Sequence, residues 1–384
     1  MIAAGAGISS EAQGVAAAEA AAQAALVMAG LARAEAALVF ATASYGDALP
    51  TIVEAALAVL GTDAVVGATA HGVMGGGREE EERGVSVLAL GGIEAQPFLL
   101  PELRRHTSSA GGEIVHAVGR ATDERDLVLL LPDAAGADLA GLVAAVRSAV
   151  APAALVGAGA AQPLAAPSLQ WCGREVAAGA LAGLVLRAGA PPRIGVTQSC
   201  RPVSELMVVT RVEGNWILEL DGRPALDVYR EVARGPLAAD LRRAAAFVLV
   251  ALPKDAQDPL RPGGYLVRHA VGFAEGRRAF ALPEAIGRGG MIAFVLRDAS
   301  AAREDMKSML AALGERPPAF GLYLDCCARG ASLFGIPGLE AAYLDDAFAP
   351  RPILGMLGSC EIGPIGGNAE LLTYTAVLAL IDPA

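Results

Sequence analysis

The sequence predicts a layered α/β protein whose sheets are built from repeated strand–helix–strand–strand units, with the chain divided into two domains. Three observations predict it. One pattern of elements recurs three times along the chain. Segments such as "ALVFATA" and "DLVLLL" are apolar almost without a break, as in strands covered on both faces. A chain of 384 residues with 54% hydrophobic content can fill two ordinary cores.

The first unit is "AALVFATASYGDALPTIVEAALAVLGTDAVVGATAHGVMGGG", an apolar strand, a small-residue loop, an amphipathic helix and a second strand ending in a glycine turn. The order returns in "DLVLLLPDAAGADLAGLVAAVRSAVAPAALVGAGAAQP". It returns again in "AFGLYLDCCARGASLFGIPGLEAAYLDDAFAPRPILGMLGSCEIGPIGG", so that "VVGATA", "LVGAGA" and "ILGMLG" are equivalent. Further strand-like segments follow each turn: "RGVSVLALGG", "GALAGLVLRAG" and "LLTYTAVLALI". Each helix is long enough for a right-handed crossover between parallel strands. A segment of different character, from about Gly195 to Pro318, separates the second and third units. Within it two short strands meet at Glu213–Gly214, before a helix that begins at Pro224. The Pro191–Pro192 pair marks the expected boundary, giving domains 1–190 and 191–384.

A net charge of -11 without any block of Lys and Arg argues against nucleic acid and against an anionic membrane surface as partners. The mean hydropathy of +0.46 comes largely from alanine. Glu19, Arg33 and Glu35 interrupt the one long apolar stretch near the N-terminus, and no basic region of a signal peptide precedes it. The five cysteines include no C-x-x-C spacing, so a disulfide framework or zinc ribbon is not expected and a reducing cytoplasm fits.

Several short motifs fail their own requirements. "GATAHGVMGGGREEEE" lacks the Lys and Ser/Thr of a phosphate loop, and its four glutamates repel phosphate. In "LVGAGAAQP", Gln162 stands where a dinucleotide turn needs glycine, and Pro163 and Pro167 oppose the helix that should follow. "GAGIS" at residues 5–9 has no paired cysteine motif behind it. No G-x-S-x-G elbow occurs, and His71, His106, His116 and His269 share no ligand spacing. His71 stands out because it sits in a glycine turn at a strand end, where functional side chains project.

The chemistry-bearing stretch is "LYLDCCARGASLFG". A thiol becomes reactive when a cation or helix N-terminus lowers its pKa, and Arg329 follows Cys326 and Cys327 closely. Neighbouring strand residues point to opposite faces, so one of the pair belongs to the core. The other reading is a pocket at the carboxyl ends of strands, where "DCCARG", "GATAHG" and "GSCEIGP" meet and Arg329 and Glu361 supply the polar groups.

The chain resembles the FIST family. The resemblance is carried by "VVGATAHGVMGGGREEEE" with "VSVLAL" in the first half. In the second half it is carried by "GNWILELDGRPALDVY", "YLVRHAVGF", "GGMIAFVLRDASAAREDM", "LYLDCCARGASLFG" and "EIGPIGG" with "TYTAVLAL". It implies N- and C-terminal family domains and a cytoplasmic sensory protein that binds a small polar, amino-acid-like ligand. The ligand set carried over is His71, Arg329 and Glu361, joined by Arg201 and Arg268 in the "SCRP" and "YLVRH" matches and by Cys326 and Cys360. Cys360 departs from the small residue that commonly precedes "EIGP" in relatives. Guanidinium grips a carboxylate and a carboxylate accepts from ammonium, so this set suits a zwitterion. Some relatives bind haem, which would make His71 the axial ligand. No output segment follows "LALIDPA", so a separate signalling protein is the expected partner. Alternatives are a protein-interaction module or an enzyme using the Cys326, Cys327 or Cys360 thiolate.

Overall fold

A computed structural model describes residues 1–161 and 167–383; Gln162 and Pro163 lie outside it. The first repeat comprises β1 (Ala3–Ser9), α1 (Gly14–Ala29), β2 (Ala36–Thr42), α2 (Leu49–Leu60), β3 (Val65–Ala70), the hairpin β4 (Gly72–Gly75) and β5 (Arg78–Glu80), and β6 (Val85–Gly91). The second comprises β7 (Glu94–Leu100), α3 (Ala110–Val118), β8 (Asp126–Pro132), α4 (Leu139–Val150), β9 (Ala154–Ala158), the hairpin β10 (Leu169–Cys172) and β11 (Glu175–Ala178), and β12 (Leu181–Arg187). The third comprises β13 (Arg193–Gln198), α5 (Ala299–Leu313), β14 (Phe320–Cys326), α6 (Leu339–Phe348), β15 (Ile353–Gly358), the hairpin β16 (Glu361–Ile365) and β17 (Asn368–Leu372), and β18 (Thr375–Ile381). The repeating unit is therefore longer than the strand–helix–strand–strand of the sequence reading. It gains a leading strand and helix and an internal hairpin.

Helix formation follows local chemistry. α2 opens with Pro50 in its first turn and closes on Gly61 at φ 68, and it buries Leu49, Ile52, Val53, Ala56, Leu57 and Leu60 at helical spacing. α4 is capped by Asp138, whose Oδ1 accepts from Gly141 N–H at 2.9 Å.

The sheets share one plan. In each, the strands joined by the crossover helix run parallel (β2 with β3, β8 with β9, β14 with β15), and the repeat's last strand pairs antiparallel on the other side. The hairpin, however, leaves its own repeat. β10–β11 extends the sheet of the first repeat, β16–β17 that of the second, and β4–β5 that of the third. Each six-stranded sheet is thus completed by another repeat, in cyclic order.

Glycine makes this exchange possible. Gly67, Gly157 and Gly355 hold the same place in β3, β9 and β15, and each lies opposite a donated residue: Trp171, Ile362 and Met74. A Cβ on Gly67 would collide with the Val39 carbonyl and the Trp171 indole.

Compact packing divides the chain at different places from residue 190. One unit is Met1–Val196 together with Lys307–Ala384, and the other is Thr197–Met306. The C-terminal strands return to the first unit because β4 and β9 need β15 and β16 as partners. The second unit is therefore an insertion within the third repeat. Its nine-stranded sheet includes Met207–Glu213 and Trp216–Leu220, the two strands expected around Gly214, and the helix Ala225–Ala233 follows Pro224. Its core centres on Tyr229, whose ring lies 5.1, 5.5 and 5.6 Å from those of Phe273, Phe280 and Phe294 and whose hydroxyl donates to Val248 O at 2.9 Å. Among the described residues no helix is long and apolar enough to cross a membrane.

Replacing Gly67 by Ala should cost about 3 kcal/mol of stability through overpacking. Gly112→Ala, on the open side of α3 where a Cβ meets nothing, should be neutral or mildly stabilising. Equal melting temperatures for the two variants would contradict the assigned packing of the donated hairpin.

Candidate functional site

The third repeat concentrates its polar chemistry at the carboxyl end of β14. Tyr323 and Asp325 face α6, while Cys326 faces the other way, as strand alternation requires. A turn follows, in which Cys327 N–H donates to Gly358 O and Arg329 N–H to Cys326 O, both at 2.8 Å.

On the α6 side lies a wholly buried charge cluster. Arg329 Nε stands 3.0 Å from Asp325 Oδ1 and 3.2 Å from Glu340 Oε1, and Nη2 also bonds Glu340. The Tyr323 hydroxyl donates to Glu340 Oε1 at 2.7 Å. All four side chains are fully buried. Burial raises the Asp325 carboxyl far above its usual range, with Glu340 adding to the rise. Glu340 is held low: burial opposes this, but the Arg329 charge and hydrogen bond outweigh it. The cluster is therefore an ion pair of Arg329 with Glu340 beside a neutral Asp325. Removing one partner from such a cluster costs about 3–5 kcal/mol, so Arg329 serves the structure.

On the opposite side, Cys326, Cys327, Cys360 and Glu361 come together. Glu361 is fully buried and its Oε2 accepts from Thr375 Oγ1 at 2.8 Å. Burial, then Cys326, pushes its carboxyl well above the usual range. Of the sequence-predicted residues, Cys326, Cys360 and Glu361 thus form one group, and β14 separates them from Arg329. His71 holds the backbone of the glycine turn, donating its N–H to Leu357 O at 2.8 Å. The residue is exposed, and partial desolvation of its ring by neighbouring atoms lowers its pKa.

Next to the charge cluster is an open cavity of about 590 Å³, lined by Ser10, Glu79–Glu82, Arg83, Ala331 and Pro337. Glu81 Oε1 accepts from Ala331 N–H at 2.7 Å, tying the β5–β6 loop to the residues after Arg329. Glu79 lies opposite Met74 in the β4–β5 hairpin, is 9% exposed, and has its carboxyl pushed up to about 8 by burial and by Glu81 and Glu340.

Arg201 and Arg268 belong to the inserted unit. Arg268 is buried, with Nε 2.7 Å from Glu284 Oε2. Arg201 is exposed, with Nε 3.1 Å from Asp298 Oδ2. It lines a cavity of about 550 Å³ together with Arg223, Arg234 and Glu231, over an apolar floor of Val203, Met207, Val228, Val232 and Leu296. Arg223 pairs with Glu231, whereas Arg234 makes no ion pair among the described residues. Arg234 ends the helix Ala225–Ala233 at φ 53, ahead of Gly235 and Pro236, which cannot continue it. Arg223, Glu231, Arg234 and Glu79 were not singled out from sequence. The "ARGPL" helix break signalled Arg234, and a two-residue turn at Gly76–Gly77, which pairs Glu79 with the buried Met74, could have placed Glu79 inside.

The chain matches the FIST N domain over residues 35–223 and the FIST C domain over residues 225–364. It belongs to the FIST family. The two family domains meet between Arg223 and Ala225, inside the inserted unit and at the edge of the arginine-lined cavity. An uncharacterized protein of Mycobacterium tuberculosis, MT0656, is 30% identical over 343 residues, 88% of each chain. Another, Mb0898c of Mycobacterium bovis, is 28% identical over 347 residues, again 88% of each chain. FIST domains are sensory domains, which sets the functional class.

Glu79 supplies a pH test. Its folded pKa is raised from 4.5 to about 8, so the stability it contributes is complete below 4.5 and is lost as pH rises through about 8. The melting temperature of Glu79→Gln relative to the parent should therefore climb between about pH 4.5 and about pH 8 and level off above it. A difference independent of pH would contradict a buried, neutral Glu79.

Proposed function

We propose that this FIST protein is a cytoplasmic sensor of a small polar, amino-acid-like ligand, and that the inserted unit holds the ligand. The observation that carries the reading is the cavity of Arg201, Arg223, Arg234 and Glu231 over its apolar floor. An arginine without a carboxylate partner can take a ligand carboxylate in a bidentate fork. Glu231 can accept from the ligand ammonium, and Val203, Met207, Val228 and Leu296 offer surface to an apolar side chain. The existing pairs of Arg201 and Arg223 are exposed and so worth about 1 kcal/mol or less each, which lets a ligand compete for them. Arg329 offers no such freedom, because desolvated carboxylates already surround it. The free cysteines, with no disulfide among the described residues, suit a reducing compartment, and the signal passes to a separate protein.

Binding to the native state raises apparent stability by mass action. Melting curves taken across the proteinogenic amino acids and small carboxylates should show a selective upward shift from one chemical class. Arg234→Ala should abolish that shift while leaving the melting temperature of the free protein nearly unchanged. A shift that survives both Arg234→Ala and Arg201→Ala, or no shift from any compound, would overturn the assignment.

A further inference from the structure

The turn after β14 brings two thiols face to face. Cys326 ends the strand and is 4% exposed, while Cys327 opens the turn and is exposed. On an extended strand the two side chains would point apart. Here the turn, pinned by the Cys327–Gly358 and Arg329–Cys326 backbone bonds, lets the Cys326 thiol donate to the Cys327 sulfur. That bond lowers the Cys327 pKa, against the opposing effect of burial, and raises that of Cys326. The pair therefore has one accessible thiol prone to ionise and one protonated thiol directly behind it.

Glu361 is the second observation. Gln170 holds the corresponding position in the sheet of the first repeat, opposite the residue after Gly67, and both ends of its amide are hydrogen-bonded. Its Oε1 accepts from Ala180 N–H and its Nε2 donates to Ser168 Oγ, both at 3.0 Å. Glu361 keeps the first bond in its contact with Thr375, but its Oε1 has no hydrogen-bond partner, and the Cys326 thiol is the ionisable group beside the carboxyl. A buried polar group left open in this way marks a place where chemistry can occur.

We propose that Cys327 and Cys326 form a dithiol site for a soft, thiophilic electrophile of the trivalent arsenical class, backed by Glu361. Cys327 attacks first and Cys326 closes the chelate. With an arsonous acid, R–As(OH)2, each S–As bond forms as one hydroxide leaves, and that hydroxide combines with the thiol proton as water. Arsenic stays trivalent, and no oxidant or reductant is needed. Glu361, buried and neutral beside Cys326, lines the site without adding a negative charge that would oppose the second thiolate. The protein thereby gains a chemical input carried by residues other than those of the small-ligand cavity.

The test adds phenylarsine oxide to the reduced full-length protein and reads intact mass. The wild type should take up a single equivalent that ethanedithiol removes and excess 2-mercaptoethanol does not. Cys327→Ser should lose the adduct. Cys326→Ala should bind ~100-fold more weakly and be stripped by the monothiol, because the second bond of a chelate forms at high effective concentration. Cys172→Ser should behave as wild type. The same experiment on the wild type alone reads which cysteines resist iodoacetamide once arsenical is bound, and both Cys326 and Cys327 should resist together. Stripping of the wild-type adduct by monothiol, or protection of Cys360 in place of Cys326, would overturn the proposal.

Discussion

Three backbone hydrogen bonds hold the ring of repeats together. Ala161 N–H donates to Thr69 O, His71 N–H to Leu357 O, and Ser359 N–H to Gly159 O, at 2.8, 2.8 and 2.9 Å. Each runs from the residue four past the strand glycine of one repeat to the residue two past it in another, and the three close a cycle. The direction matches the hairpin exchange, so each repeat begins its hairpin by bonding to the sheet that the hairpin will complete. An isolated repeat would leave the hydrogen-bonding edges of β3, β9 or β15 open, which is the edge that sheets must cover. Cooperation among repeats is thus imposed by backbone pairing as well as by apolar burial.

Within that symmetric frame, chemistry enters where the third repeat departs from the other two. Asp325 corresponds by strand pairing to Ala41 and Pro132, both of which face helices without charge. The third repeat places a buried ion pair there, and its neighbouring positions carry the thiols and Glu361. It is also the repeat that accepts the inserted unit. Charges in the two places behave differently for one reason. Arg329 is desolvated and matched by carboxylates, so its pairing is fixed; Arg201 is exposed, so its pair is weak, and Arg234 is exposed with no ion pair among the described residues.

Much of this was legible in the sequence. "VVGATA", "LVGAGA" and "ILGMLG" identified the equivalent strands, and the segment near Gly195–Pro318 anticipated the insertion at Thr197–Met306. The leading strand and helix of each repeat were missed for physical reasons. "GAGIS" lies in β1, where Gly5 and Gly7 let the α1 backbone approach closely. α1 buries chiefly alanines, Ala17, Ala18, Ala21, Ala22 and Ala25, so it shows little amphipathic contrast. In the third repeat the insertion splits the leading strand from its helix. Hairpin exchange was not legible, because strand alternation reports a buried face and says nothing of which sheet supplies the partner. For the site, the sequence indicated that one of Cys326 and Cys327 belongs to the core, and packing selects Cys326. Arg329 looked available because Glu340 lies eleven residues on, beyond any local spacing rule.

The central claim is the proposal that the inserted unit holds the small ligand. Amide hydrogen exchange, with and without the amino acid that gives the largest thermal shift, tests it directly, since exchange reports local opening segment by segment. Ligand should slow exchange in peptides covering residues 201–234 and 290–297 and leave those covering 320–361 unchanged. Protection confined to residues 320–361 would contradict the account and return the ligand to the carboxyl end of β14.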